Sequence, residues 1–512
     1  MGFDQLAHDQ LVQALARKLE RRHRARAQVF RTHISSVIAC GSFAYKLKRP
    51  VKLAFVDFSS LHLRYLDCMR ELQINERTAP MLYLGVVKIT GSPDQPSIGG
   101  QAHAIDWAVK MRRFKQSDLL SQRIGRNQVT AEMLCAFAND HASLMQRLEP
   151  LAHRALAKHR PAHAWLLESL DEIERAAPRL SQEVKQVRHW AHQQARQLGA
   201  MLAQRIRQGH YRDCHGDLHL ANLVQIKHQI VAFDALEFNE ALSQIDPIND
   251  IAFTFMDLIA HDRADLAWCL MNQWCQSRGD YRGLALLRYY TLYRAVVRAK
   301  VASLTHDSTG LQRYWGLAKQ LVAKAQPARL SLVGGLSGSG KSTLARELAP
   351  QLGAIVLRAD VIRKQLFGAH IDDNQALYTP AITKKTYTEL ARLADELTGC
   401  GVSVIVDATF IAQAHIAYFE HISKKRSVPF ALVWCDAPVA VLERRIRSRA
   451  RAGQDPSDAT VAVLRQQWLK LQQSPIVWPK ATHQIQTTVS RQQMTMRSRA
   501  LARTLLEAAP KK

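Results

Sequence analysis

No apolar run in this chain reaches the ~18 residues that a membrane-spanning helix needs, so no membrane partner is expected. The opening MGFDQLAHDQ has no basic stretch followed by an apolar one, which argues against a secretory signal. The eight cysteines (Cys40, Cys68, Cys135, Cys214, Cys269, Cys275, Cys400 and Cys435) include no C-x-x-C pair. That usage excludes a disulfide framework and points to reduced thiols in a cytoplasm. Neither cysteine nor histidine clusters at the spacing of a zinc site. Acidic residues are also short, with 44 Asp and Glu against 70 Lys and Arg, leaving a formal charge of +26. An excess of that size favours anionic partners: nucleotides, phosphorylated metabolites, nucleic acid or an acidic surface. It concentrates in RKLERRHRARAQVFR (Arg17–Arg31), which reads as an exposed helix face, and in ERRIRSRAR (Glu443–Arg451).

A chain of 512 residues is too long for one ordinary core. SSVIAC (Ser35–Cys40) and FAYKLKRPV (Phe43–Val51) flank Gly41-Ser42 and predict a β-hairpin. A helix is expected around Leu61–Arg77 and a strand at MLYLGVVKI. The pattern is then almost wholly helical from Ser117 to Gln208. Strand signals return near HGDLHLAN and VAFDALEF, and helices follow from Asp246 to Ala325. Gln326-Pro327 breaks the last helix and LSLVGG starts a new strand. Two domains are expected, residues 1–325 and residues 326–512.

HGDLHLAN (His215–Asn222) places an Asn five residues after an Asp. That spacing suits a phosphoryl-transfer loop, in which the Asp takes a hydroxyl proton and the Asn holds a metal. Asp217 is the candidate base and Asn222 a candidate metal ligand. Asp234, after a short strand-turn-strand, can present a second metal oxygen. Asp250 opens the next helix, where it can cap amides or brace the loop. Upstream, Lys46 and Lys48 are candidate nucleotide contacts and Glu71 is their candidate partner. The lysines share a strand face, so sequence does not choose between them.

At HGDLHLAN, Asp234 and DPINDIA (Asp246–Ala252) the chain resembles the aminoglycoside phosphotransferase family, which has the protein-kinase-like fold. The resemblance spans roughly residues 30–300 and is strongest at 214–252. It implies ATP and Mg²⁺ between two lobes and phosphate moved to a hydroxyl. No glycine-rich loop of the protein-kinase type is present, only Gly41-Ser42, and no motif marks an acceptor pocket.

A different device follows. GLSGSGKS (Gly335, Leu336, Ser337, Gly338, Ser339, Gly340, Lys341, Ser342), with Thr343 next, fits G-x-x-x-x-G-K-[ST] between an apolar strand and a helix. The glycines let backbone N–H groups wrap phosphates, Lys341 reaches the β- and γ-phosphates, and Ser342 offers an oxygen to Mg²⁺. Asp360, with Arg363 one turn on, is a candidate acceptor-binding pair. Asp407 ends the buried strand VSVIVD and is a candidate metal-side carboxylate. Apolar strands alternating with helices predict a parallel sheet covered on both faces. This half resembles the small P-loop kinases that phosphorylate metabolites or polynucleotide ends. The resemblance adds a lid-like L-x-x-R-x-x-x-R (Leu442, Arg445, Arg449) followed by DPSDA at 455–459. Asp407 is followed by Ala408 rather than a second carboxylate, which disfavours a motor-type ATPase.

The expected fold class is therefore α/β and α+β in two domains: a protein-kinase-like two-lobed domain, then a P-loop NTPase sheet with helices on both faces. The expected protein is a bifunctional phosphotransferase using ATP and Mg²⁺, with a small-molecule hydroxyl as acceptor. Its rivals are a polynucleotide 5′-hydroxyl kinase, which the charge suits but the reading does not favour, and a nucleotide-sensing regulator with a non-catalytic N-terminal half.

Overall fold

The computed structural model describes residues 4–53, 56–152, 160–323, 327–368, 376–452 and 459–507. The expected boundary at 325/326 and positions 455–458 of DPSDA lie outside the described residues. Packing groups the chain into two compact units, Met1–Glu172 with Ala191–Asp257, and Ile173–Trp190 with Leu258–Lys512.

The first unit opens on an amphipathic helix, Gln5–His23. Asp4 caps it by accepting from Ala7 N at 2.9 Å, and its buried stripe is Leu11, Val12, Leu15 and Leu19. The stripe covers one face of a six-stranded antiparallel sheet whose order is Gln28–Arg31, Ser35–Cys40, Phe43–Lys48, Ala104–Arg112, Tyr83–Gly91, Pro96–Ile98. The expected hairpin is there, with Gly41 in the left-handed region (φ +59) at its turn. Side chains alternate along Phe43–Lys48 as the pleat requires. Tyr45 and Leu47 join the core beneath the first helix, while Ala44 joins the core on the opposite face, with Cys68, Leu82, Tyr83 and Met111. Lys46 and Lys48 are on that second face, toward the helix Leu61–Asn75. This helix is capped by Ser60, whose side chain accepts from Leu63 N.

One sequence expectation changes, and one strand goes unsignalled. The basic run Arg17–Arg31 is helical only to His23. Arg24 turns left-handed (φ 49), and Gln28–Arg31 is a fully exposed edge strand. Strand Ala104–Arg112 carried no clear signal because its buried Asp106, ion-paired to the buried Arg64 at 2.8 Å, interrupts the apolar alternation.

Described helices occupy Leu120–Ile124, Ala131–Arg147, Ala162–Ala176 and Ser181–Arg207, then Pro247–Ala260, Ala264–Arg278, Leu287–Leu304 and Ser308–Val322, as the helical patterns predicted. Among the described residues no helix is long and apolar enough to cross a membrane.

In the second unit five parallel strands run in the order Ala354–Arg358, Ser403–Asp407, Leu330–Gly334, Phe430–Asp436, Thr482–Gln486. The three central strands are almost wholly buried, as a sheet covered on both faces must be. The edge strand Ala354–Arg358 is closed by an amide rather than a sixth strand. Asn272 donates to Ala354 O at 2.9 Å and accepts from Val356 N at 2.7 Å, occupying ladder positions an open edge would expose. The fold class matches the expectation: an antiparallel sheet with helices holding the HGDLHLAN loop, and a parallel P-loop sheet.

Candidate functional site

The loop His215–Asn222 hangs from one face of the helix Pro247–Ala260. Asp250, Thr254 and Asp257 are spaced i, i+4, i+7 and so share that face. Asp250 accepts from His215 N at 3.2 Å and Gly216 N at 2.9 Å, and His141 Nε2 lies 3.1 Å from the same carboxylate. Thr254 Oγ1 donates to Leu218 O at 2.6 Å, and Asp257 accepts from Leu220 N at 2.9 Å. Gly216 sits at φ +81, where a Cβ would come within 2.9 Å of Leu242 O. His215 Nε2 donates to Phe233 O at 2.9 Å while its Nδ1 accepts from Asp217 N at 3.3 Å. Burial lowers its pKa, and with both ring nitrogens engaged by the backbone the ring serves as a strut of the loop.

Within the loop, Asn222 Nδ2 donates to Asp217 Oδ2 at 2.9 Å and to Asp217 O at 3.0 Å, so its amide oxygen is the end that could accept a metal. Phe233 N donates to Asn222 O at 3.0 Å, so the next residue, Asp234, is set beside the loop. Asp234 takes φ +61 and donates its N–H to Tyr83 Oη at 3.1 Å. That left-handed backbone turns the carboxylate toward the sheet. Lys46 Nζ meets Asp234 Oδ1 at 2.5 Å and Glu71 Oε1 at 2.9 Å.

The two lysines left open by sequence are thereby distinguished. Lys46 contacts Asp234. Lys48 is fully buried and contacts Asp67, Glu71 and Glu237. Burial pulls both lysine pKa values down, but the surrounding carboxylates outweigh it and hold both well above the ordinary value. Glu71 is destabilised by burial, yet the two lysines bring it down to about 2. Glu237 goes the other way: burial raises it to about 7 against the pull of Lys48. Three carboxylates share Lys48, and burial weighs most heavily on Glu237.

In the second unit the phosphate loop follows strand Leu330–Gly334. Gly335, Gly338 and Gly340 all have positive φ. A Cβ at Gly335 would stand 2.5 Å from Cys435 O, and one at Gly338 would stand 2.8 Å from Leu442 O, so neither position admits a side chain. Leu336 is buried, Ser337 N donates to Gln467 Oε1 at 2.9 Å, and Thr343 is exposed. Lys341 Nζ lies 3.5 Å from Leu336 O. Asp407 is buried. Desolvation raises its pKa while Lys341, Arg358 and the Ser342 hydroxyl act against that. Its Oδ1 is a buried acceptor with no hydrogen bond among the described residues, and Ser342 bonds the same side chain. An oxygen pair of this kind fits a divalent cation.

Asp360 and Arg363 form an ion pair at 2.5 Å, with Arg363 4.6 Å over the Tyr378 ring. On the helix Val439–Ala452, Leu442 and Ile446 pack inward. Arg445 donates to Gly338 O at 3.3 Å and to Thr487 O at 2.7 Å, while Arg449 donates to Ala459 O at 3.2 Å. Arg447 points away and pairs with Glu443.

Sequence reasoning passed over Asp67, Glu237, Thr254, Asp257 and Arg358. Thr254 and Asp257 could have been found by continuing the loop-facing stripe from Asp250. Arg358 is a charged residue ending an apolar strand, directly opposite Asp407 in the ladder and 3.4 Å from its carboxylate.

An AAA domain family model matches residues 330–473. The structure of Mycobacterium tuberculosis APS kinase CysC in complex with AMPPNP and APS is similar at 25% identity and a TM-score of 0.27, over 36% of this chain and 99% of that one. A choline/ethanolamine kinase family protein from Mesorhizobium loti is similar at 10% identity and a TM-score of 0.37, over 61% of this chain and 95% of that one. The Mycobacterium tuberculosis protein Rv2004c, described as uncharacterized, is 30% identical over 450 residues, 85% of this chain and 88% of its own. The Mycobacterium bovis protein Mb2027c matches to the same extent. At that identity and coverage, the chain belongs to the family of these mycobacterial proteins.

Proposed function

We propose that the protein is an ATP-dependent phosphotransferase with two separate sites, each moving the γ-phosphate of ATP to a hydroxyl of a small molecule. The observation that carries the N-terminal half of this reading is the Lys46 ammonium, in contact with both Glu71 and Asp234, beside a loop in which Asn222 holds Asp217. Lys46 would grip ATP phosphates. Asn222 and Asp234 supply oxygens for Mg²⁺, which would neutralise charge developing on the phosphates. Asp217 takes the proton of the incoming hydroxyl. In the C-terminal site the loop Gly335–Thr343 cradles phosphates, Lys341 faces the β/γ bridge, and Ser342 and Asp407 would hold the metal. Asp360 and Arg363 orient the acceptor, and Arg445 and Arg449 stabilise the transferring group. The division into residues 1–325 and 326–512 and a cytoplasmic setting belong to the same reading; none of the eight cysteines is in a disulfide, which suits reduced thiols.

The test uses the full chain, labelled ATP and a library of hydroxyl-bearing metabolites, with Asp217→Asn and Lys341→Ala each silencing one site. Transfer that persists in one variant and vanishes in the other assigns an acceptor to each site. ATP binding with no transfer to any compound would favour the regulator. Transfer confined to oligonucleotide ends would favour the polynucleotide kinase.

A further inference from the structure

Lys48 touches neither Asp234 nor the Asp217–Asn222 loop in any described contact, yet its ammonium meets three carboxylates. It is fully buried and its ammonium meets Asp67 Oδ2 at 2.6 Å, Glu71 Oε2 at 2.6 Å and Glu237 Oε1. Asp67 and Glu71 are one turn apart on helix Leu61–Asn75, while Glu237 stands three residues after Asp234. The other oxygen of Glu71 holds Lys46, which holds Asp234. The contacts therefore form a ring: Asp234, Lys46, Glu71, Lys48, Glu237, and back along the chain to Asp234.

We propose that Lys48 is a positioning residue of the N-terminal site, closing a ring of charges that fixes both Lys46 and Asp234. This rests on the reading of that site as an ATP site. Lysines two apart on one strand are held at a constant spacing by the pleat. One draws on the nucleotide-side carboxylate, the other on its neighbour three residues further, and Glu71 ties both to the helix. The left-handed backbone of Asp234 persists only if its surroundings over-determine it, and the Lys48–Glu237 contact is such a restraint. Removing the ammonium would leave three buried carboxylates converging on one point. Their repulsion and lost compensation would push the 234–237 segment off the helix. The segment has two further ties to that helix, Arg70 Nε to Glu237 O at 3.1 Å and Ala235 N to Asn75 Oδ1 at 3.0 Å, which keep it folded when the ring is opened.

The experiment uses the full chain carrying Lys341→Ala, so that the P-loop is silent, and reads the affinity of a fluorescent ATP analogue with Mg²⁺ alongside the thermal midpoint. Lys46→Met should lose ATP binding. Lys48→Met should weaken it on the order of 10-fold, the usual effect of removing a supporting partner. Glu237→Gln opens the ring from its other side, leaves Lys48 compensated by Asp67 and Glu71, and should also weaken binding. The two together should be no worse than Lys48→Met alone, because the ring opens only once. A purely structural Lys48 would lower the midpoint and leave ATP affinity unchanged in the folded fraction. Wild-type affinity in Lys48→Met overturns the proposal. Should that variant fail to fold, wild-type affinity in Glu237→Gln overturns it instead. Unchanged binding in Lys46→Met would sink the nucleotide-site reading itself, and the ring with it.

Discussion

Lys46 and Asp234 are 188 positions apart in sequence and touch, Nζ to Oδ1 at 2.5 Å. The contact joins a strand of the antiparallel sheet to the second residue after the Gln229–Ala232 strand, and sets a cation against an acid next to the Asp217 loop. Chemistry at that loop is the most direct thing to test. Asp217→Asn keeps the side-chain size and an oxygen to accept from Asn222, so fold and nucleotide binding should persist. Transfer by the N-terminal site should fall on the order of 10²–10⁴-fold, the usual contribution of a positioned base. Labelled-phosphate transfer compared with ATP affinity checks this; unchanged turnover removes Asp217 from the mechanism.

Asp250 should matter through the loop rather than through the substrate. It is fully buried and accepts from two backbone amides of the loop. Asp250→Ala strands those amides without a partner, at about 1–3 kcal/mol for each buried group. The thermal midpoint should drop, and turnover at the N-terminal site should drop further than the loss of folded protein explains. Equal losses in both would make Asp250 a folding residue alone.

Glu237 gives the first unit a pH signature. Its folded pKa, raised to about 7, lies above its unfolded value near 4.5. A raised carboxylate favours the folded state when protonated. This stability is therefore fully present below about pH 4.5 and is lost as pH rises through about 7. Glu71 has the opposite sign: its pKa near 2 gives stability above its unfolded value that is lost as pH falls toward 2. Across pH 5.5–8 the Glu237 contribution pulls the thermal midpoint down, whereas His215, whose pKa burial lowers, pulls it up. The Glu237 share is read against Glu237→Gln: the midpoint of the native protein minus that of the variant should decline as pH rises through about 7. A difference that grows with pH would contradict the sign.

What was legible in sequence follows from how local each feature is. The loop His215–Asn222, the phosphate loop and the apolar strands around it are contiguous, so spacing and periodicity reveal them. Lys46 and Lys48 could not be separated, because the pleat gives both the same face and only carboxylates far away in sequence tell them apart. Glu237 lies in the strand-like VAFDALEF and drew no role from spacing; its partner Lys48 is 189 positions away. The strand Ala104–Arg112 was obscured by Asp106, which is buried because Arg64 pairs with it. The helix read into Arg17–Arg31 ended early because Arg24 takes a left-handed turn that helix propensity does not signal.

The two sites should be chemically separable. Lys341→Ala removes the cation proposed to face the β/γ-phosphates and should abolish ATP use by the P-loop site. ATP binding at the N-terminal site should survive, measured in the same full-length protein. Loss of both, with the circular dichroism spectrum unchanged, would mean one coupled site.

The helix Val439–Ala452 permits a contrast within one element. Leu442 and Ile446 anchor it inward, which turns Arg445 toward the phosphate loop and leaves Arg447 in solvent. Arg445 reaches Gly338 O at 3.3 Å, and its Nη1 lies 3.7 Å from where a Cβ on Gly340 would be. A guanidinium held there is placed to meet charge spreading over the equatorial oxygens of a transferring phosphoryl group. Arg449, one turn on, bonds Ala459 O and so anchors the chain beyond the helix. Arg445→Ala or Arg449→Ala should lower turnover of the P-loop site on the order of 10²-fold, as the loss of a charge-stabilising donor does. ATP affinity should fall less, because a lid completes the site after nucleotide binds. Arg447→Ala loses only an exposed pair to Glu443, worth at most about 1 kcal/mol, and should leave turnover near that of the parent. Steady-state turnover and nucleotide affinity for the three variants decide it: equal behaviour of all three would reduce the helix to basic surface.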